Sequence, residues 1–172
     1  MPDQSVQNST PLTTNQIVEG ILEREGENGP DFLTPGDRGG RTSWGISERA
    51  HPEAWHNGPP SKDEARVIYF KTYVGPFLDV APPDVRNQLV DFAVTSGVKT
   101  AIYYLQRTLG VTPDGYIGQK TRAALVGVDS RLLNNALVAA RLKFIDTLTD
   151  TEKSQKQFEE GWESRALSFL TL

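Results

Sequence analysis

Residues 14–26, TNQIVEGILEREG, carry the clearest helical pattern of the chain. Thr13 or Thr14 can serve as the N-cap, and the Gly-rich stretch after residue 25 ends the helix. At about 100° per residue, Glu25 falls about 80° from Ile17, inside the apolar face, whereas the acids at 19 and 23 face water. That apolar face, about 140° wide, comprises Ile17, Val18, Ile21 and Leu22. The pattern predicts a helix over residues 14–25 with a partly desolvated carboxyl at its end.

This placement makes Glu25 a candidate general acid. Burial disfavours the charged form of a carboxyl, and a general acid has to hold its proton near neutral pH. The alternative is a structural glutamate that accepts hydrogen bonds from the following loop.

The next segment, residues 26–45, is too rich in Gly and Pro for a helix and predicts a long loop or a small hairpin. Residues 41–46, RTSWGI, alternate like a short strand. Asp37 and Thr42 lie in this segment, where small residues let a substrate approach closely. An acid in such a turn can equally be only a turn-former.

The rest of the chain predicts helices. Ser61 and Glu64 form the pattern of a capping box, and Gly97 and Gly110 end two of the helices. We therefore expect a mostly α fold (α+β) with a small β-hairpin or short sheet near residues 30–47, a polar tail over residues 1–13 and a single domain over 14–172. Within it we expect a front lobe of about 14–75 and a helical back lobe of about 84–172. The predicted helices cover residues 47–55, 61–74, 84–96, 99–109, 118–126, 129–148 and 152–170.

Composition excludes several classes of chemistry. The 172 residues include no Cys and only two His, and the formal charge is −4. His51 and His56 are not spaced as a zinc pair on one helix, so we expect no metal and no cofactor. The net charge is negative and the sequence has no long basic run of the kind that binds nucleic acid. Carboxylate chemistry is what remains.

The N-terminal residues are polar, and no window has the length and hydropathy of a membrane span or a signal peptide. We expect synthesis in the cytoplasm. A target outside it requires another agent to permeabilise the membrane.

Several spaced motifs together resemble glycoside hydrolase family 108 N-acetylmuramidases, mostly phage endolysins. The Gly-rich part reads GGRTSWGI over residues 39–46, close to the family signature G-G-x-T-x-x-G-I. The resemblance runs in order through nearly all of residues 15–170. Its motifs are Glu25-Gly26, residues 35–47, 69–78, 91–97, 105–121 and 158–165.

Three positions depart from the usual family pattern. Glu27 stands where a second Gly is usual, Arg38 where Pro is usual and Thr95 where Asn is usual. Glu27 adds a second acid beside the candidate catalyst.

The resemblance implies a lysozyme-like fold in which Glu25 protonates the glycosidic oxygen between N-acetylmuramic acid and N-acetylglucosamine. It also implies a second carboxylate, for which Asp37 is the candidate, with Thr42 holding water or orienting that acid. Trp44, Tyr73 and Asp91 are the candidate substrate-binding residues. Aromatic residues at such positions are often core, and a helix-packing salt bridge is the alternative for Asp91.

The resemblance further implies that peptidoglycan glycan strands are the partner and that a phage holin releases a monomeric enzyme to the cell wall. Residues 105–121 also resemble a small peptidoglycan-binding module, although Gly110, Gly115 and Gly118 fit helix stops and turns equally well. A lytic transglycosylase using Glu25 alone, or a non-catalytic wall-binding protein, are the alternative functions.

Overall fold

A computed structural model of the chain describes residues 12–25, the backbone of residues 32–33, and residues 41–171. The described residues are mostly helical, with one small antiparallel sheet near the front of the chain, which confirms the predicted fold class. The α-helices are α1 (Thr14–Glu25), α2 (Lys62–Tyr69), α3 (Pro83–Ser96), α4 (Val98–Thr108), α5 (Gln119–Leu125), α6 (Ser130–Thr151) and α7 (Glu159–Leu167).

Helix α1 begins with a reciprocal cap. The backbone N–H of Thr13 donates to Gln16 Oε1 at 2.8 Å, and the Gln16 N–H donates to Thr13 Oγ1 at 3.3 Å. This is a capping box, so Thr13 is the N-cap. All four predicted apolar residues of α1 are buried, each burial contributing about 1.5–3 kcal/mol. The cap and the apolar face together fix the end of α1 against the core.

The sheet has three strands, β1 (Phe32–Leu33), β2 (Arg41–Ser43) and β3 (Ile46–Ser47), in the order β1-β2-β3. Ser43 pairs with Ile46, which leaves Trp44 and Gly45 as a two-residue turn. Their φ angles are 51° and 77°. Two consecutive positive φ values are typical of a type I′ hairpin turn, whose twist matches that of the strands.

The predicted helix over 47–55 is wrong. Ser47 pairs with Thr42 in the sheet, and only a short 3-10 helix follows, Pro52–Trp55. Pro52 lacks a backbone N–H and disfavours helical conformation in the preceding residue. Trp55 is buried, and its Nε1 donates to the Ile46 carbonyl at 3.2 Å, which ties this segment to β3.

The predicted helix over 61–74 is confirmed at its start and changes form near its end. Ser61 and Glu64 form the expected capping box of α2. After Tyr69 the chain continues as a π-helical segment, Phe70–Val74, and then as a 3-10 helix, Gly75–Phe77.

The back of the molecule is a helical bundle. Helix α3 packs against α4 and α6, and α6 packs against α7. The expected helix over 152–170 is interrupted: α6 runs on to Thr151, a 3-10 helix follows over Lys153–Phe158, and α7 begins at Glu159. None of the helices in the described part of the chain is long and apolar enough to cross a membrane.

Candidate active site

Glu25 is the last residue of α1, and its side chain remains 27% exposed. The hairpin turn packs closely against Glu25 on one side. A Cβ placed on Gly45 would lie 2.7 Å from the Cβ of Glu25 and would also contact the Tyr69 hydroxyl. Only a residue without a side chain allows the turn this close. Glu25 is thus held by backbone packing while its carboxylate stays within reach of a ligand.

Arg165, on α7, bridges Glu25 to a second carboxylate. Its Nη1 and Nη2 atoms donate to Glu25 Oε1 at 3.2 and 3.1 Å. The same guanidinium donates to Asp91 Oδ1 from Nη2 at 2.9 Å and from Nε at 3.1 Å. A planar guanidinium can make these bonds at the same time because its N–H groups form a rigid fork.

Asp91 is the centre of this charged cluster. Its side chain is fully buried, and Arg141 Nη2 donates to Oδ2 at 2.8 Å. Arg24 Nη2 lies 3.2 Å from Oδ1. The helix-packing salt bridge considered for Asp91 is therefore present. With no exposed surface on its side chain, any effect of Asp91 on a substrate passes through the arginines that it holds.

The pKa values of Arg165 and Arg141 are shifted in opposite directions. Burial tends to lower the pKa of Arg165, but hydrogen bonds and charge from Asp91 and Glu25 outweigh it, so the pKa is raised. Burial dominates at Arg141 and lowers its pKa despite the opposing Asp91 charge.

Two tyrosines border Glu25. Burial, followed by the Glu25 charge, raises the pKa of Tyr69 well above its ordinary value. The same two causes raise the pKa of Tyr73. The Tyr69 hydroxyl donates to the Trp44 carbonyl at 3.0 Å, and the two phenol rings are 5.6 Å apart. Both phenols are therefore neutral, polar neighbours of the glutamate.

The other predicted site residues divide into two groups. Trp44 and Tyr73 lie beside the Glu25 environment, both half-buried, and Thr42 is half-buried in β2. Asp37 and Glu27 lie outside the described residues. The roles proposed for these residues stay predictions.

Sequence reasoning missed the arginines of the cluster. Arg24 is the neighbour of Glu25 in the sequence. Arg165 lies 140 residues from Glu25, so no local spacing predicts the contact between Arg165 and Glu25. The available signal was the resemblance over residues 158–165, which ends at Arg165. No group of three or more histidine or acidic side chains suited to a metal ion occurs among the residues that the structure describes.

Within residues 105–121, Gln106 is a buried polar residue that closes the turn at Asp114 and Gly115. Its Nε2 donates to Asp114 Oδ1 at 2.8 Å and to Thr121 Oγ1 at 3.0 Å, and its Oε1 accepts from the Gly115 N–H at 2.8 Å. These bonds give the motif a structural role. Tyr116 nearby is 59% exposed beneath the Lys99 ammonium.

Comparisons with known proteins find relatives in both sequence and fold. Residues 18–97 match the family model described as Glycosyl hydrolase 108, and residues 100–167 match one described as Predicted Peptidoglycan domain. A solved structure, Brucella abortus SagA, is 31% identical, with a TM-score of 0.66 over 90% of this chain and 94% of that one. The chain belongs to the glycosyl hydrolase 108 family. Among curated proteins, none matches it.

The two matched regions of this glycosyl hydrolase 108 protein meet at the cluster. Glu25 and Asp91 belong to the first region, whereas Arg141 and Arg165 belong to the second. The ion pairs therefore cross the boundary between the two regions, and the second supplies side chains to the site of the first.

Proposed function

We propose that the protein hydrolyses the β-1,4 bond between N-acetylmuramic acid and N-acetylglucosamine in peptidoglycan, with Glu25 as the general acid. The observation that carries the proposal is the fixed, partly exposed carboxylate of Glu25 at the junction of α1, the hairpin turn and α7. The family and the peptidoglycan region support the class of substrate.

The hydrogen bonds of Glu25 suggest how it would act. Arg165 donates twice to Oε1, and among the described residues no hydrogen bond reaches Oε2. Oε2 is therefore the oxygen we assign to carry the proton to the glycosidic oxygen. As the glycosidic oxygen leaves with the proton, positive charge develops at the sugar ring.

That charge requires an anionic group or a placed water. We propose Asp37 for this role, as base or nucleophile, and Thr42 as the hydroxyl that orients Asp37 or the water. Water then adds to the anomeric carbon, its proton passes to a carboxylate, and hydrolysis is complete. Trp44 and Tyr73 are proposed to contact the sugar chain, and Asp91 to act on it through the arginines that it holds.

We also propose that the protein serves as a phage endolysin. It would be made in the host cytoplasm, reach the wall through lesions made by a holin and act there as a monomer.

The test compares Glu25→Gln with Glu23→Gln, an exposed acid on the same helix. The amide keeps the shape of the carboxyl but cannot donate the catalytic proton, so we expect Glu25→Gln to lower murein cleavage by at least about 10²-fold. Glu23→Gln should retain full activity. Cleavage by Glu25→Gln within tenfold of the parent protein would remove Glu25 from the mechanism.

Mass spectrometry of the products tests the reaction type. Hydrolysis predicts a reducing N-acetylmuramic acid end, whereas anhydromuramic ends would indicate a transglycosylase. Intact murein that only binds the protein would indicate a wall-binding function.

The second carboxylate is tested separately. We expect Asp37→Asn to reduce kcat strongly with little change in murein binding, because the interaction forms mainly in the transition state. Thr42→Val should cost less. Near-full turnover by Asp37→Asn would leave Glu25 acting with another partner.

A further inference from the structure

A small cavity lies between α3, α6 and α7, next to the charged cluster. Its volume is about 40 Å³, enough for about three water-sized groups. The lining combines apolar side chains with two hydroxyl groups and a guanidinium. The lining residues are Thr95, Ser96, Arg141, Phe144, Ile145, Leu148 and Trp162.

Arg141 is the unusual member of this lining. Its side chain is only 3% exposed. Nη2 donates to Asp91 and to Thr95 Oγ1, the latter at 3.3 Å. The Nη1 atom is buried, and no described residue accepts a hydrogen bond from it. Buried N–H groups are nearly always paired, so this one indicates a missing acceptor.

The cavity lies one helical turn from Arg165 and from Asp91, and Arg165 is the residue that contacts Glu25. Trp162 precedes Arg165 by three residues on α7, and Thr95 follows Asp91 by four residues on α3. Side chains at these spacings lie on one face of a helix. Thr95 is exposed at the cavity, so a ligand can enter from solvent.

We propose that this cavity binds the acetamido group of an N-acetylated sugar in the glycan strand. The methyl group would lie against the apolar side formed by Leu148 and Trp162, and the carbonyl oxygen would accept from Arg141 Nη1. An acetyl group has three heavy atoms, which matches the space available. The inference rests on the proposed function, since it identifies a substrate group recognised beside the proposed acid.

The chemistry of the lining selects a neutral group. Asp91 already supplies a carboxylate to Arg141, and most of the remaining lining is apolar. A neutral carbonyl satisfies the open N–H without bringing a second anion into a buried space, where an extra charge is costly.

The experiment uses Glu25→Gln, which prevents turnover, and two uncharged trisaccharides. Chitotriose carries an acetamido group at C2 of each sugar, whereas cellotriose carries a hydroxyl there. Binding is followed by NMR, using the methyl signals of Ile145 and Leu148. We expect chitotriose to bind at least about tenfold more tightly, as expected for the gain of one hydrogen bond to a charged donor.

A cavity-filling variant localises the effect. Leu148→Phe should abolish the preference for chitotriose, while Leu132→Phe, at a 69% exposed position of the same helix, should retain it. Equal binding of the two sugars, no binding of chitotriose, or a preference unchanged by Leu148→Phe would overturn the inference.

The two proposals fail separately. Murein that stays uncleaved while the acetamido preference persists would contradict the proposed hydrolysis alone. Cleavage of murein without any preference would contradict this site alone.

Discussion

Both hydrogen bonds from Arg165 to Glu25 end on the same oxygen, Oε1, from Nη1 at 3.2 Å and from Nη2 at 3.1 Å. The Nε and Nη2 atoms of that guanidinium also donate to buried Asp91. Because Asp91 is fixed in α3 and Arg165 in α7, the Glu25 carboxylate has its orientation set by two helices besides its own. Arg165 is therefore a positioning residue for the proposed acid.

Replacing Arg165 should affect turnover more than binding. Arg165→Lys retains a positive charge but loses the fork that reaches both carboxylates. We expect kcat to fall about 10²-fold, the scale of a misplacement near 1 Å, with KM changed much less. The control, Arg122→Lys, changes an exposed cation on α5 and should leave both constants unaltered. A normal kcat for Arg165→Lys would show that Glu25 does not depend on this contact.

Asp91 should matter chiefly for stability. Asp91→Asn leaves the buried Arg141 guanidinium without its counter-charge, and breaking a buried pair in this way costs about 3–5 kcal/mol. Urea denaturation measures the loss. Asp63→Asn, which breaks an exposed pair with Arg66, should cost below about 1 kcal/mol.

A second substitution separates charge from shape at this site. Adding Arg141→Met to Asp91→Asn removes the unpaired cation and should restore part of the lost stability. A double variant less stable than Asp91→Asn alone would contradict the assignment of the cost to the unpaired charge.

Local sequence patterns were sufficient for much of the fold. The spacing of apolar residues in α1 predicted both the helix and the exceptional position of Glu25, and the Ser61–Glu64 pattern predicted a real cap. These features depend on residues within one or two helical turns. Helix periodicity and capping patterns, which involve only residues close in sequence, are therefore sufficient to predict these features.

The remaining features depend on distant residues. Ser47 joined the sheet instead of a helix because Thr42 offered a pairing partner. The break between α6 and α7 is spanned by a hydrogen bond from Thr149 of α6 to Glu159 of α7, ten residues apart. The cluster joins residues 24, 25, 91, 141 and 165, and no periodicity records which charges will meet in a packed interior. Asp91 illustrates this limit, because its spacing left both a substrate role and a salt bridge open.

The buried tyrosines predict how stability changes at alkaline pH. The pKa values of Tyr69 and Tyr73 are raised in the folded protein, whereas unfolded phenols titrate near pH 10. The contribution of these two neutral phenols to the free energy of unfolding is therefore fully present below about pH 10. Above it the unfolded chain loses protons first, so the free energy of unfolding should fall by about 1.4 kcal/mol per pH unit for each phenol.

Tyr69→Phe should make this alkaline decline shallower. At neutral pH the variant loses the hydrogen bond to the Trp44 carbonyl and about 1 kcal/mol of stability. Tyr116→Phe, at a 59% exposed position, is the control and should leave the slope unchanged. Urea unfolding from about two pH units below to about one unit above the unfolded phenol pKa, that is from about pH 8 to about pH 11, measures both quantities. Parallel curves for Tyr69→Phe and the parent protein would show that this phenol does not contribute.

The close approach of the hairpin turn to Glu25 gives the last prediction. Gly45 has a φ of 77°, and Gly127 has a φ of 73° with nothing within 4 Å of a Cβ placed on it. Ala at either position meets the same backbone strain, about 1–2 kcal/mol. Only at Gly45 does the new methyl group also meet Glu25 Cβ, at 2.7 Å. Because Cβ atoms cannot rotate away, the turn or the end of α1 has to move.

We therefore expect Gly127→Ala to lose only the strain energy in urea denaturation and to keep its specific activity on murein. Gly45→Ala should lose about 1–3 kcal/mol more, from overpacking. Its activity should fall at least about tenfold, measured where both variants are fully folded, because the displaced carboxylate no longer meets Arg165 in the same geometry. Equal activity of the two alanine variants would show that the position of Glu25 tolerates this shift, and the turn would then be a structural neighbour only.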